Sequence, residues 1–516
     1  MTTLIDQLLE DQARLDTPVA RFSRWHESGD GCPTPATERS YKRLIPLAAP
    51  AAGEQYAFEV NLDQCTGCKA CVAACHSLNG LDEGETWRDT GALLGSLDGA
   101  PFQQVITTAC HHCADPACAS GCPVLAYEKD DATGIVRHLD DQCIGCSYCI
   151  LKCPYDVPKF SKKRGIVRKC DMCHSRLAVG EAPACVQACP SEAIRIINVS
   201  RGAIELAGET PLLPGTFESG YTLPGTRYIG SRMTRARLTP TDAWQTKPEH
   251  THWPLVVMLL LTQASVGLAC AGVFATPSAH AHLSLVSLAA MLTGLVGIAA
   301  SILHLGQPLK AWRAFLGLRR SWLSREVIGF GMYAPLVALV PLIDLLAPAP
   351  VQASLRLPVA LSAALTGILC VICSVMVYVD TRRSFWRWQI TCARFLGTML
   401  VLGSALTWAL AGSVVAFWCA LAAMLVKLSC ESRFLRDNPY NQNDPVEPGA
   451  DARTAILLLE IMPYLTRGRI ALAGIGLLSL YWQPWLGCVL FAGSELCERI
   501  LYFRAVVAPH MPGVKS

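Results

Sequence analysis

The side chains best placed to do chemistry in this sequence are thiols. Sixteen of its 25 cysteines fall in four runs between Cys65 and Cys189. The first run is Cys65-x2-Cys68-x2-Cys71-x3-Cys75, and the second is Cys110-x2-Cys113-x4-Cys118-x3-Cys122-Pro123. The third is Cys143-x2-Cys146-x2-Cys149-x3-Cys153-Pro154, and the fourth is Cys170-x2-Cys173-x11-Cys185-x3-Cys189-Pro190. A cubane 4Fe–4S cluster needs four thiolates aimed at four iron corners, and closely spaced cysteines on one tight loop can supply three of them. The last cysteine of such a run normally reaches a second cluster, with Pro turning the chain away. Shared four to a cluster, the sixteen thiolates predict four 4Fe–4S clusters. No ligand position is taken by Trp, Asp or Ser, so no three-iron cluster is expected.

Other uses of these cysteines compete. Zinc sites use Cys pairs separated by a spacer, not triplets closed by Cys-Pro. Disulfides need an oxidising compartment, and residues 1–24 carry Asp6, Glu10, Asp11 and Asp16 without the apolar core of a secretory signal. One cluster serving structure alone stays open. Lys69, Lys152, Arg168 and Lys169 lie near the runs, where a cation favours a reduced cluster; a solvated or partner-facing charge is the competing reading. Runs one and three carry the spacing of bacterial ferredoxins. Together the four runs resemble the iron–sulfur subunit of the complex iron–sulfur molybdoenzymes, the dimethyl sulfoxide reductase type in particular, over about residues 56–200. The resemblance implies that the first run pairs with the fourth and the second with the third. One cluster would then take Cys65, Cys68, Cys71 and Cys189, and its mate Cys170, Cys173, Cys185 and Cys75. Of the inner pair, one would take Cys110, Cys113, Cys118 and Cys153, the other Cys143, Cys146, Cys149 and Cys122.

The elements that must position these loops fall into four stretches. Residues 1–55 read as an N-terminal arm, with Leu4, Ile5, Leu8, Leu9 and Leu15 on one face of a short amphipathic helix. Residues 56–200 hold the runs, beside strand-like pieces at Tyr56–Val60 and Ala193–Ile197. Residues 201–251 contain Pro211, Pro214, Pro224, Pro240 and Pro248 and read as an extended linker. Residues 252–512 read as a membrane-anchor bundle, because its apolar runs are long enough to cross about 30 Å of hydrocarbon. Spans are expected near 253–275, 281–303, 327–346, 357–379, 394–410, 413–430, 469–483 and 484–504. Seven spans remain open, since the seventh is short and meets Pro484. The stretch Ala452–Leu465 contains Glu460 and Pro463 and is placed at the interface. The expected fold is therefore an α+β ferredoxin-like four-cluster domain followed by an all-α transmembrane bundle of about eight helices.

Composition agrees. The 516 residues are 52% hydrophobic and 16% charged, against about 25% charged in soluble domains. A net charge of +3 argues against a nucleic-acid partner. Basic residues crowd the loops on the cluster side, among them Lys310, Arg313, Arg319, Arg320, Arg382, Arg383 and Arg433, while the opposite loops offer little beyond Arg356. The positive-inside rule then predicts a multi-pass protein of the inner (cytoplasmic) membrane with its iron–sulfur domain facing the cytoplasm.

A haem relay needs axial ligands inside the bilayer. His252, His280, His282, His304 and His510 stand at span ends or outside, so no haem is expected. An electron donor or acceptor dissolved in lipid must then approach the cluster side, and a quinone fits. Quinol oxidation releases two protons and needs a base and a hydrogen-bond partner near the bilayer edge; His304 and Glu326 suit. Competing readings are an interfacial anchor for His304 and a helix-start carboxylate for Glu326. Glu495 and Arg499, four apart, read as a structural ion pair. His252-Trp-Pro-Leu255, Leu303-His-Leu-Gly306 with Pro308, Leu323-Ser324 with Glu326, and Glu495-Leu496 with Arg499 resemble the membrane-anchor subunit of dimethyl sulfoxide reductase over roughly 252–512. That resemblance implies eight helices, no haem, and a quinol site involving His304 and Glu326.

The sequence departs from the pattern in joining two subunits, in its N-terminal arm, and in a charge bias that turns the clusters inward. The best-known relatives face the periplasm, so their substrate does not carry over. No molybdopterin domain, phosphate-cradling loop or nucleophile triad is visible. The expectation is a non-catalytic electron-transfer subunit whose partner, by family implication, carries a molybdenum bis-pterin. Electrons would flow toward an S-oxide, N-oxide or oxyanion, or in reverse from a sulfite-type dehydrogenase. The alternative is a membrane-anchored iron–sulfur redox sensor or ferredoxin-like donor without quinone chemistry.

Overall fold

The computed structural model describes residues 43–233, 237–274, 280–437 and 449–514, with Thr3 and Glu10. The amphipathic helix expected within residues 1–24 lies outside the described residues. The cysteine-rich region is built on two three-stranded sheets and two hairpins. Strand β1 (Glu54–Asn61) leads into the first run, helix α1 (Ala70–Asn79) carries its last two cysteines, and β2 (Asp89–Leu97) and β3 (Ala100–Thr108) lead into the second. The hairpin of β4 (Tyr127–Lys129) and β5 (Val136–His138) joins runs two and three. The hairpin of β6 (Lys159–Ser161) and β7 (Ile166–Arg168) joins runs three and four, and β8 (Ile194–Ser200) follows the fourth.

Strand pairing brings the runs together. β1 pairs antiparallel with β8, from Glu54 opposite Ser200 to Val60 opposite Ile194. The chain leaves β1 just before Cys65 and enters β8 just after Cys189, so antiparallel pairing sets the start of run one beside the end of run four. The β4–β5 hairpin does the same for Cys122 and Cys143. Alternation supplies the driving force: Phe58, Val60, Ile194 and Ile196 are buried on faces that strand geometry points into one core.

The stretch expected as an extended linker is integrated into this domain. Its strands β9 (Arg227–Ile229) and β10 (Arg237–Pro240) pair with β1 in parallel and with β2 antiparallel, completing both sheets. Its prolines set the irregular turns between the paired segments, and proline is tolerated at a sheet edge, where β10 stands.

Among the described residues, eight long helices follow. They are α2 (Trp253–Phe274), α3 (His280–Ile302), α4 (Trp322–Leu346), α5 (Ala349–Val379), α6 (Trp388–Ala411), α7 (Val414–Asp437), α8 (Pro463–Ser479) and α9 (Pro484–Arg504). The first six are long and apolar enough to cross a membrane. α8 has 17 residues, and α9 carries Glu495, Glu498 and Arg499, all buried; these charges keep its apolar count below that of the others. Between α7 and α8, Ala450–Ile456 and a π-turn at Leu457–Ile461 hold most of the stretch read as interfacial, whose last residues from Pro463 open α8. After α9 the chain returns to the cluster domain. Met511 is buried in the core around Phe58 and Trp87, its sulfur 3.4 Å from His111 Nε2, and the Gly513 amide donates to Asp242 at 2.8 Å.

Candidate cluster ligands and membrane-side site

The four runs share one backbone device. Two residues after the first cysteine, φ is positive in every run: Gly67 at 72°, His112 at 42°, Gly145 at 68° and Met172 at 58°. In runs one, three and four the amide of that residue donates to the first cysteine's sulfur, at 3.3 Å for Gly145 and 3.4 Å for Met172. A second device follows each Cys-Pro. The third residue after the cysteine is again left-handed, at Leu125, Asp156 and Glu192. The next amide then turns back onto the cysteine sulfur: Ala126 to Cys122 at 3.2 Å, Val157 to Cys153, and Ala193 to Cys189 at 3.3 Å. Leu and Glu enter this region at a cost of about 1 kcal/mol or more, which the surrounding fold imposes. Amide donors aimed at sulfur favour a negatively charged thiolate.

The thiols gather in fours. Cys65 lies within electrostatic reach of Cys68, Cys71 and Cys189, and Cys75 of Cys170, Cys173 and Cys185. Cys113 has Cys110, Cys118 and Cys153 for neighbours, and Cys149 has Cys122, Cys143 and Cys146. All sixteen are free of disulfides. Burial pushes the thiols of Cys75 and Cys153 up to about 12, and those of Cys122 and Cys173 to about 11. Left to themselves such groups stay protonated, so thiolates here require a strongly cationic centre. Buried soft donors in fours, ringed by amides, fit iron–sulfur clusters.

The sets form a row. Tyr127 lies near Cys122 and Cys149 on one side and Cys118 on the other. Cys170 neighbours Cys110, and Cys185 neighbours Cys71. Two buried cations sit between sets. Lys169 faces Cys110, Cys118 and Cys170, and its ammonium donates to the Cys170 carbonyl at 2.8 Å. Arg88 faces Cys71, Cys75, Cys170 and Cys185. Sequence reasoning missed Arg88, since nothing around Trp87-Arg88-Asp89 marks it; only the antiparallel pairing of β2 with β3 turns it toward the thiols. Arg168 instead pairs with Glu85 at 3.2 Å, and Lys152 with Asp380 at 2.8 Å. Lys69 is exposed.

One end of the row meets the helices. The amide of Gln307, just past α3, donates to the Ile144 carbonyl at 3.0 Å. Gly306 packs directly on Gly165 and Gly145: a Cβ on Gly306 would stand 2.1 Å from the Gly165 carbonyl oxygen. The Gly306→Ala variant is therefore expected to push the two halves apart and cost about 1–3 kcal/mol, read as earlier thermal loss of the iron–sulfur absorbance than in wild type. An unchanged melting profile would refute this close approach.

At this junction His304 Nε2 lies 3.2 Å from the Cys146 carbonyl oxygen, and its ring stands edge-on to His252 at 5.5 Å between centroids. Burial pushes the His304 imidazole below its usual range and that of His252 to about 4, so both are neutral at pH 7. Because a carbonyl only accepts, Nε2 carries the hydrogen and Nδ1 keeps a lone pair. Glu326, five residues into α4, is buried and accepts a hydrogen bond from Ser374 on α5. No contact joins His304 to Glu326 among the described residues. They flank the same loop instead, with Glu326 within electrostatic reach of Tyr148, two residues beyond Cys146. The Tyr148 hydroxyl donates to the Val377 carbonyl at 2.8 Å. Cys68, at the other end of the row, is exposed.

The ion pair expected between Glu495 and Arg499 is not formed. Glu495 is held by Lys427 and Arg469, whereas Arg499 reaches Gln263 at 2.9 Å and lies 3.6 Å from Glu498. Glu495 thus turns to cations on neighbouring helices, while Arg499 stays beside its chain neighbour Glu498 and reaches across to α2.

Thiol sets aligned from a membrane-type helical bundle to an exposed edge define the chain as a multi-cluster iron–sulfur electron-transfer protein with its own multi-pass membrane anchor. Comparison with known proteins agrees. Residues 102–199 match the 4Fe-4S dicluster domain family, and residues 248–430 match the DMSO reductase anchor subunit (DmsC) family. A subunit of the anaerobic dimethyl sulfoxide reductase of Haemophilus influenzae is 39% identical over 150 residues, 27% of this chain and 73% of that protein. Its Escherichia coli counterpart is 36% identical over 151 residues, covering 27% and 72%. The thiosulfate reductase electron transfer subunit PhsB of Salmonella typhi is 34% identical over 154 residues, covering 29% and 80%. The chain belongs to the family of dimethyl sulfoxide reductase-type iron–sulfur subunits, here fused to a DMSO reductase anchor domain.

Proposed function

We propose that this chain passes electrons between the quinone pool and a separate molybdopterin catalytic subunit, reducing an S-oxide, N-oxide or oxyanion, or running in reverse with a sulfite-type dehydrogenase. The observation that carries the reading is the direction of the thiol row. It starts where Cys146 touches His304 and ends at exposed Cys68, so one end is accessible from lipid and the other to a protein partner. Four 4Fe–4S clusters, held by the sets containing Cys143, Cys110, Cys170 and Cys65 in that order, supply one-electron carriers.

The remaining work belongs to side chains. Nδ1 of neutral His304 takes a proton from a quinol hydroxyl, with Glu326 as the second proton-accepting group. Lys169 and Arg88 offset the charge of reduced neighbours. The exposed rim around Cys68 and Lys69 receives the catalytic subunit. No haem is needed, since both proton-accepting groups lie on the cluster side of the bundle. The basic cluster-side loops support placement in the inner membrane with the iron–sulfur domain in the cytoplasm.

Adding menadiol anaerobically to the purified, cluster-loaded chain tests the reading. EPR signals of reduced clusters are expected to grow at the rate of quinol oxidation. Failure of any quinol to reduce the clusters would favour the redox-sensor alternative.

A further inference from the structure

Between the end of α3 at Ile302 and the start of α4 at Trp322, the chain forms a 3₁₀ helix over Pro308–Gly317. Its 10 residues are long for this form, whose runs seldom exceed three or four. Three residues make one turn, so every third side chain falls on the same face. One face holds Ala311, Ala314 and Gly317, of which the last two are buried. It seats on run two: the Gly317 amide donates to the Pro123 carbonyl at 2.8 Å, and a Cβ on Gly317 would stand 2.6 Å from that oxygen. Lys310 and Arg313 share the second face and both donate to the Asp141 carbonyl, at 3.1 and 2.9 Å. The third face carries Leu309, Trp312, Phe315 and, just past the helix, Leu318, which are 94%, 65%, 53% and 45% exposed.

An exposed row of large apolar side chains marks a surface that something covers, and two observations select the cover. The first is position. The row starts beside exposed Leu303 at the end of α3 and stops where α4 begins. Both helices are long and apolar enough to cross a membrane, so the segment joining them lies at the level of the lipid headgroups, where Trp is favoured. The second is charge. The row runs directly into Arg319 and Arg320, whose side chains are exposed and have no partner among the described residues. The corner that presents them is fixed: Arg325 donates to the Leu318 carbonyl at 3.1 Å and to the Arg319 carbonyl at 3.0 Å, with its guanidinium 4.2 Å from the centre of the Trp322 ring. Apolar side chains beside such cations complement a bilayer surface, where acyl chains lie beside phosphates.

We propose that residues 308–320 form a membrane-surface element that binds anionic phospholipid. Leu309, Trp312, Phe315 and Leu318 lie among the acyl chains, and Arg319 and Arg320 take the headgroup phosphates, for which the planar guanidinium offers paired donors. The binding bears on the iron–sulfur domain, because the same segment grips both loops of the thiol set that adjoins the helices. Ser321 Oγ donates to the Gly121 carbonyl at 2.6 Å, so Cys122 is flanked by two anchored carbonyls, those of Gly121 and Pro123. Asp141, held by Lys310 and Arg313, stands two residues before Cys143. Lipid that holds the surface element therefore also steadies the loops of Cys122 and Cys143.

The test uses the full cluster-loaded chain in nanodiscs that mix phosphatidylcholine and phosphatidylglycerol, with bromine on the acyl chains of one lipid or the other. Quenching of Trp312 is read as the difference between wild type and Trp312→Phe. Both brominated lipids are expected to quench it, and phosphatidylglycerol the more strongly. Arg319→Gln combined with Arg320→Gln should lower that preference by about 10- to 30-fold, at roughly fivefold per cation near an anionic surface, while Trp312 stays quenched. Iron content should match wild type, since neither side chain holds the fold together. Phosphatidylglycerol should also delay thermal loss of the iron–sulfur absorbance in wild type more than in the double variant. No quenching of Trp312 by either lipid would overturn the proposal and assign the row to a protein partner. An unchanged lipid preference in the double variant would overturn the headgroup role of the two arginines, and an equal thermal delay would overturn the link to the clusters. Should the double variant lose iron, either single variant decides, with a fall of about fivefold expected.

Discussion

The Cys146→Ala variant is expected to lower the iron content of the purified chain from about sixteen to about twelve atoms and to abolish reduction by quinol. The substitution removes one sulfur from the set nearest the membrane, yet keeps the backbone carbonyl that His304 touches at 3.2 Å. Docking of the two halves should therefore survive while the first electron carrier is lost. Dithionite should still reduce the remaining clusters, because run three lends the other sets only Cys153, whose amide donor Val157 is untouched. The matching variant at the far end, Cys68→Ala, should behave in the opposite way. Quinol would still reduce the clusters that remain, but transfer to the catalytic partner would fail. Iron analysis and EPR of both variants check the order of the row. Equal loss of quinol reduction in both would refute it.

Removing the two groups proposed to accept protons is expected to give the second large effect. Glu326→Gln keeps the volume of the side chain and an oxygen for Ser374, but it cannot take a proton. His304→Ala removes the ring that offers Nδ1. Each variant is expected to slow menadiol-driven cluster reduction by about 10²- to 10⁴-fold, the range for a positioned acid or base, with dithionite reduction unaltered. Stopped-flow absorbance at the cluster band measures both. A slowing of Glu326→Gln that higher menadiol fully restores would mark the carboxylate as a binding group only.

Much of the site is legible in the residues themselves, because cluster ligation is local chemistry. Gly67 and Gly145 announce the left-handed turn of their loops, and Cys-Pro announces the exit. His112 and Met172 adopt the same turn with side chains that give no such notice, so only the repeat of the cysteines points to it. The basic loops were readable as a topology signal, but the fold gives several of them a second duty. Lys310 and Arg313 both donate to the Asp141 carbonyl, at 3.1 and 2.9 Å, and Arg383 donates to that of Leu151 at 3.4 Å. Charge along a chain does not reveal which carbonyl lies opposite.

The sequence alone marked sixteen thiols as candidate iron ligands and the apolar stretches as candidate spans, because thiol spacing and hydropathy are properties of contiguous residues; the helices themselves start up to eight residues earlier than expected, as α5 does at Ala349. The tertiary structure decided which four thiols meet, that residues 227–240 close the sheets, that Arg88 lies among the sulfurs, and that Glu495 turns to Lys427 instead of Arg499. Those outcomes depend on strand pairing and helix packing between distant segments, such as those of Gln263 and Arg499, which lie 236 positions apart. Packing between distant segments decides which polar groups meet there, and nearness along the chain alone no longer does.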